Sequence, residues 1–499
     1  MLRIASLSIS LLALLVLSSC AKTKTSIKIS NLTPAYSAKI SDYTTRCSAP
    51  VKVSVKSSRS EPVSVDRASF KSGAFSKFVL LKPGQGFSLR VGNGKKAFTQ
   101  WVRCLPDDFP LWQTKRSSGS TVQLLLLAPT MYLDIFRLPL PKRLVKEKNR
   151  YVIISDGNGV PVWWYKDPVA APWDVQLISS SSLAWSHFKW YNESSVDAYY
   201  QRFNWEGKKL GRIQSPAPKP DYREAAKTVD GNYFMISSEP RDCPAQIKEC
   251  VDLSAYGGPA QATVVDSVIE KVSPSGKWLW KWSTRNHLDP SEAQRWIRPP
   301  RSSTISTLLP DGRIGWRLFH INAVKEHGSG ILFSARHGDA IYRIKQSSGQ
   351  VDWKIGGTET KQSIPMQSNT SRGMPFVGPH DIRVLPDGTF TAYDNGIKLR
   401  APTAVHFRVQ GRIATQLART SDAAADLSIC CGSAQLLQSG NWLINQGGGS
   451  RITEISVSGS QLFSLTLPDK LFSYRVQEIS QSQLAVSRLR SGMNILYPR

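Results

Sequence analysis

Two short patterns alternate through most of this chain, and their alternation restricts its possible folds more than any other feature. The first is a polar turn that runs into an apolar strand. It occurs as SSSSLAWSH from Ser179, TVDGNYFMISS from Thr228, EHGSGILFSAR from Glu326, LPDGTFTAYDN from Leu385, LQSGNWLINQG from Leu437 and SQSQLAVSRL from Ser480. The second is strand, Gly-containing turn, strand, as in YVIISDGNGVPVWWY from Tyr151, VIEKVSPSGKWLWKW from Val268 and RITEISVSGSQLFSL from Arg451, with three further copies from Tyr199, Ala340 and Ala404. A unit of this kind makes one four-stranded sheet that cannot bury both of its faces alone, and stacking such sheets in a ring solves the problem. Six copies predict an all-β chain whose larger part, residues 121–499, is a six-bladed β-propeller. An irregular large sandwich would not explain the alternation. No helical periodicity of any length stands out. The spacing stretches between the second and third units, and residues 240–262 and 284–312, rich in Pro, Arg, Ser and Asp, read as inserted loops.

Ahead of the repeats, SIKISNL, VKVSVKS, FVLLKP, FSLRVGN and FTQWVRC are strand candidates at sandwich-like spacing, which predicts a β-sandwich-like N-terminal domain over residues 21–112. The polar stretch QTKRSSGST, Gln113 to Thr121, reads as the link. The first twenty residues form a targeting segment, with Arg3 as the positive region and an unbroken apolar run from Leu11 to Leu17 that is too short to span a bilayer comfortably. It ends in Leu17-Ser18-Ser19-Cys20, which resembles a bacterial lipobox. The expectation is a lipoprotein signal peptide over residues 1–20, lipidation at Cys20, and an exported, extracytoplasmic chain held on a cell-envelope membrane.

Export implies an oxidising compartment. Setting Cys20 aside, Cys47 and Cys104 could staple the N-terminal segment, and Cys243 and Cys250 could close the loop CPAQIKEC. Cys430-Cys431 is a vicinal pair, either a disulfide or two buried thiols. No Cys or His spacing suggests structural zinc. The formal charge of +27 fits a basic surface near anionic lipid or envelope polymer, or attraction of anionic substrates. No helix-turn-helix or RNA-binding signature points to nucleic acid.

Sites in propellers collect where blade strands end at the central channel, so residues at one phase of different repeats converge. Two repeats carry a His at the same phase. FHINAVKEHGSGILFSARH places His320 and Asn322 before the strand and Arg336-His337 after it. PHDIRVLPDGTFTAYDNG places His380-Asp381 before the strand and Asn395 after it. The same phase in an earlier repeat holds Arg223. One such His alone reads as an ordinary loop residue; two in phase, with Asn322 and Arg336 nearby, read as a site. Arg forks suit oxyanions, and nearby Arg keeps a His neutral and nucleophilic. A metal fits less well, because Arg223 and Arg336 bring positive charge and Asp381 is the sole clear carboxylate. The residues point to group transfer of sulfuryl or phosphoryl. Phosphoryl transfer often recruits Mg²⁺, and no carboxylate cluster offers to hold it, which tilts the reading to sulfate with no cofactor.

The strings HINAV, ILFSARHGDAIYRI, GQVDWKIGG, PHDIRVLPDGTFTAYDNG and RAPTAVHF resemble the core of the arylsulfotransferases that work without a nucleotide sulfate donor, over about residues 125–470. The resemblance implies a six-bladed propeller that moves a sulfuryl group from an aryl sulfate to a phenol through a sulfohistidine. It places His380 on the family's sulfated His and His320 with Asn322 on its HxN motif, where the His assists the leaving phenol as acid and then serves as base. Arg336 falls on its sulfate-binding Arg. Arg223, in Asp221-Tyr222-Arg223-Glu224, replaces a further family His: it keeps positive charge but does not easily exchange a proton. Pro379 replaces the family's Gln ahead of the sulfated His. Asn322, Arg223 and, more weakly, Arg400 are further candidate sulfuryl ligands. The expected partners are an aryl sulfate donor, a phenolic acceptor and a membrane. The alternatives are a non-catalytic propeller binding anionic aryl ligands or envelope polymer, and a sulfate-ester hydrolase.

Overall fold

The computed structural model describes residues 25–131, 150–192, 195–299, 302–368, 374–397, 401–425, 427–428, 430–468 and 471–499. The chain divides into two compact units, one of residues up to Leu81 together with Gly86–Arg103, the other of Lys82–Gln85 and Cys104–Arg499. The smaller unit pairs two antiparallel sheets. One has the strand order Ser26–Ile29, Val51–Ser57, Gly73–Val79; the other runs Asp42–Thr45, Phe98–Cys104, Gly86–Val91, Val63–Val65. The alternation VKVSVKS buries Val51, Val53 and Val55 and turns Lys52 and Lys56 outward, as a half-buried strand requires.

In the larger unit, six four-stranded antiparallel meanders follow one another among the described residues. Their inner strands are Trp173–Ser179, Pro220–Lys227, Ile321–His327, Pro379–Val384, Ser433–Leu436 and Leu471–Ile479, and each lies against the next in cyclic order. This is a β-propeller. Its ring is closed by chain ends at two places. Leu471–Ile479, near the C-terminus, is the inner strand of the sheet whose other strands, starting with Leu124–Met131, come early in the unit. Gln113–Arg116, read as a linker in the sequence, is instead a strand on the outer edge of the last sheet, paired with Gln461–Thr466.

One strand expectation fails for a related reason. SQSQLAVSRL is not a strand; it opens a helix, Val486–Leu496. The place it would take in the first sheet is already filled by Leu124–Met131. Leu489 and Met493, four residues apart, instead dock on the outside of the propeller near Trp164 and Trp205. Gly492 allows that approach, since a Cβ there would meet the Trp205 carbonyl oxygen at 2.4 Å. The two stretches read as loops are not extended coil. They contain short helical turns, including Gln294–Ile297, and the hairpin Ser306–Leu308 with Ile314–Trp316, and they bury Leu253, Trp296, Ile297 and Ile305 in one apolar cluster.

A cationic, histidine-bearing cavity in the propeller

The inner strands do not run regularly toward the channel. Register breaks between Trp173 and Gln176, Pro220 and Ala225, Ile321 and Ala323, His380 and Arg383, and Ser473 and Val476. Asp174, His320, Asp381 and Cys431 lie in left-handed backbone, at φ of 43°, 48°, 51° and 62°. Side chains of this kind adopt that conformation at a cost of about 1–3 kcal/mol each. The bulges end the strict in-and-out alternation and re-aim consecutive residues to different places. His380 thereby lines one cavity, while its neighbour Asp381 faces an ion cluster.

His320 and His380 line the same cavity, together with Arg223, Arg317 and Arg336. Trp173, Tyr222 and Tyr474 supply aromatic wall, and Thr304, Cys430 and Cys431 complete it. The Nδ1 of His380 lies 3.1 Å from the Gly378 carbonyl oxygen. A carbonyl only accepts, so Nδ1 carries the proton and Nε2 carries the lone pair. Burial, then the Arg336 charge, push the His380 pKa down from 6.5 to about 3, against the opposing bond to Gly378. His320 is driven well below its usual range by burial first and then by Arg223, His337, Arg317 and Arg336. Both imidazoles therefore rest neutral at neutral pH. Before an anion enters the cavity, a neutral His320 offers a hydrogen bond rather than a proton.

Arg336 is held from several sides. Its Nη1 donates to Nε2 of His337 at 2.7 Å, and Nδ1 of His337 donates to the Arg317 carbonyl at 2.7 Å. The guanidinium lies 4.8 Å over the Trp296 ring, and the His337 ring packs at a tilt against Trp296 at 4.7 Å and His320 at 4.8 Å. Arg223 pairs with Asp221 and donates to the Tyr222 hydroxyl at 2.8 Å. Asn322 does not line the cavity. Its Nδ2 donates to the Pro379 carbonyl at 2.9 Å and its Oδ1 accepts from Ser334 at 2.7 Å, so it ties the His380 strand to its neighbour.

Arg475 lies beside the cavity with most of its side chain covered. It donates to Asp174 at 2.7 Å and to the Asn322 carbonyl at 2.6 Å, and pairs with Asp381 at 3.3 Å and Glu224 at 3.4 Å. Those partners come from four other inner strands or their entrances. Lys325 adds to Glu224 at 3.0 Å and Arg383 to Asp381 at 2.8 Å, so three cations face three carboxylates. Burial, Glu224 and the opposing Arg475 leave Asp174 raised to about 6, with burial the largest cause.

Of the residues singled out from sequence, His320, His380, Arg223 and Arg336 meet in one cavity, while Asn322 acts behind it. Arg400 and Cys20 lie outside the described residues. Cys243 and Cys250 are bonded to each other, and Cys47 and Cys104 are each disulfide-bonded. Cys430 and Cys431 are free thiols with their sulfurs 2.7 Å apart. Among the described residues, no group of three or more His, Cys, Asp or Glu gathers as a metal set. Sequence reading missed Arg317, Arg475, Trp296 and the positioning role of His337. Arg317 stands three residues before His320 and was within reach of the motif. Arg475 was legible only by recognising that the C-terminal strand supplies an inner position of the ring.

Fold and site together define a β-propeller with a buried, cationic cavity carrying two neutral histidines. Residues 246–466 match the family model described as Arylsulfotransferase (ASST), and this match supports the arylsulfotransferase family for the chain. It supports aryl sulfotransferase activity at the level of the family. No curated protein matches the chain. Among solved structures, a putative 6-phosphogluconolactonase from Bacteroides uniformis aligns with 12% identity over 72% of this chain and 100% of its own, at a TM-score of 0.38. Virginiamycin B lyase from Staphylococcus aureus, with quinupristin, aligns with 9% identity over 74% of this chain and 100% of its own, at 0.36. At these scores the likeness carries no argument about this chain.

Proposed function

We propose that this protein transfers a sulfuryl group from an aryl sulfate to a phenolic acceptor, with His380 as the nucleophile. The observation that carries the reading is the fixed tautomer of His380: a neutral ring, proton on Nδ1, lining an arginine-rich cavity. In the first half-reaction Nε2 attacks sulfur, the N–S bond forms and the S–O(aryl) bond breaks. The electron pair of that bond leaves on the phenolate, which accepts a hydrogen bond from His320. Arg223, Arg317 and Arg336 hold the sulfonate oxygens and stabilise the transferring charge. The bound anion offsets those guanidinium charges and restores basicity to His320. In the second half-reaction His320 takes the acceptor phenol's proton, the phenol oxygen attacks sulfur, and the N–S bond breaks to return neutral His380; as the sulfated product leaves, His320 gives the proton to solvent and is neutral again. Trp173, Tyr222 and Tyr474 would face the aryl rings.

Arg223, where the resemblance implies a His, fits a charge role and not a proton role, because a guanidinium does not give up its proton; Asp221 and Tyr222 hold it in place. The proposal includes export and lipid anchoring through Cys20, on the strength of Leu11 to Leu17 followed by Leu17-Ser18-Ser19-Cys20. The test is intact-protein mass spectrometry after mixing with 4-nitrophenyl sulfate. A sulfuryl adduct is expected, absent in His380→Ala and discharged faster on adding phenol. Donor turnover indifferent to phenol would mean a hydrolase. No turnover, with ligand binding unchanged in His380→Ala, would mean a binding protein.

A further inference from the structure

We infer that the outer face of the three-stranded sheet in the N-terminal unit is a docking surface for an anionic lipid bilayer. The face is formed by Ser26–Ile29, Val51–Ser57 and Gly73–Val79. Cross-strand register sets Lys28 opposite Ser54, Lys52 opposite Phe78, and Lys56 opposite Ser26, with all three lysines exposed. Alternation along the edge strand puts Phe78 on this same face, and Leu80 follows just past its end. They are 64% and 73% exposed, unusually open for large apolar side chains. The Lys52 ammonium sits 5.9 Å over the Phe78 ring. None of the three strands contains an Asp or Glu. The unit as a whole carries thirteen Lys and Arg against three carboxylates, Asp42, Glu61 and Asp66, over its described residues.

Lysines interleaved with protruding apolar groups match the boundary of an anionic bilayer, where ammonium groups meet phosphate and rings enter the headgroup layer. The chain's own arithmetic selects this partner. The apolar run from Leu11 to Leu17 ends nine residues before Ser26. Even fully extended, the six steps from Cys20 to Ser26 reach only about 20 Å. With the proposed anchor at Cys20, on which this step rests, the sheet stays next to the membrane surface, and a basic, apolar face there suits the lipid. The inference does not depend on the sulfuryl-transfer reading, and it differs from the lipid-anchor reading in its dependence on lipid charge.

The experiment uses the full chain with vesicles of phosphatidylcholine alone and with added phosphatidylglycerol. Partition is measured by co-sedimentation, and hydrogen exchange is followed by mass spectrometry on the peptide covering residues 73–80. An acyl chain or an apolar leader enters both kinds of vesicle, so the ratio between them isolates the sheet face. Partition is expected to favour the anionic vesicles by about fivefold per lysine engaged, falling steeply with salt. Residues 73–80 should exchange more slowly on anionic vesicles only. Lys28→Gln/Lys52→Gln/Lys56→Gln should remove most of the preference, and Phe78→Ser/Leu80→Ser should remove the protection, with unchanged melting midpoints. Equal partition on both vesicles overturns the inference, as does protection outside residues 73–80 alone. A soluble polyanion that protects the peptide equally well, indifferent to Phe78→Ser/Leu80→Ser, assigns the face to acidic polymer and overturns it too.

Discussion

Lowering the pH should separate two consequences of the same buried ring. His380 is held neutral down to about pH 3, from an ordinary value of 6.5, by burial and by Arg336. At pH 4.5 an ordinary imidazole would be about 1% neutral, whereas His380 would remain about 97% neutral. Adduct formation in a single turnover should therefore continue at pH 4.5 at close to its neutral rate, provided the chain is folded. The cost appears in stability. Above pH 6.5 the folded and unfolded chains both hold this ring neutral. Between 6.5 and about 3 only the unfolded chain takes the proton, so stability is lost as the pH falls. Integrated to pH 4.5, the loss from His380 alone is roughly 3 kcal/mol. His320 and His337, shifted in the same direction, add to it. The assay pairs quenched intact-mass measurement of the adduct with urea unfolding at each pH from 8 to 4.5. His380→Gln, which cannot titrate, should unfold less steeply with acid than the parent by about that amount. The reasoning is refuted if adduct formation halves near pH 6.5, or if the parent and His380→Gln lose stability in parallel.

Three other perturbations test the supports of the site. Arg475→Met leaves Asp174, Glu224 and Asp381 without their shared cation and should destabilise the propeller by about 3–5 kcal/mol in urea unfolding; Arg475→Lys should recover only part, since one ammonium cannot span the same four partners. His337→Ala releases the Arg336 guanidinium and should raise KM for the aryl sulfate about tenfold, more than it lowers kcat, in steady-state kinetics. Gly492→Ala sets a methyl group against the Trp205 carbonyl and should cost about 1–3 kcal/mol, seen as a lowered melting midpoint and faster exchange across residues 486–496.

What could be read from the sequence follows from how local each signal is. Polar turn and apolar strand are contiguous, so the repeats and the all-β class are legible in short windows. The histidines are legible because a propeller converts equal phase into nearness, and His320, His380 and Arg336 need only that rule to meet. Ring closure is not local: nothing within QTKRSSGST tells that it pairs with a strand more than three hundred residues later, and nothing within SQSQLAVSRL tells that its place is taken. The same blindness hides Arg475, which stands beyond the last legible blade and yet joins four other inner strands or their entrances. Asn322 was read from its motif as a ligand because its chemistry allows that. Its partners, the Pro379 carbonyl and Ser334, show the amide's hydrogen bonds spent on placing the neighbouring strand. A motif in a propeller thus supplies two kinds of geometry at once, the groups that meet the anion and the bonds that keep adjacent blades in register. Only the coordinates of the partner atoms tell which of the two a given residue supplies.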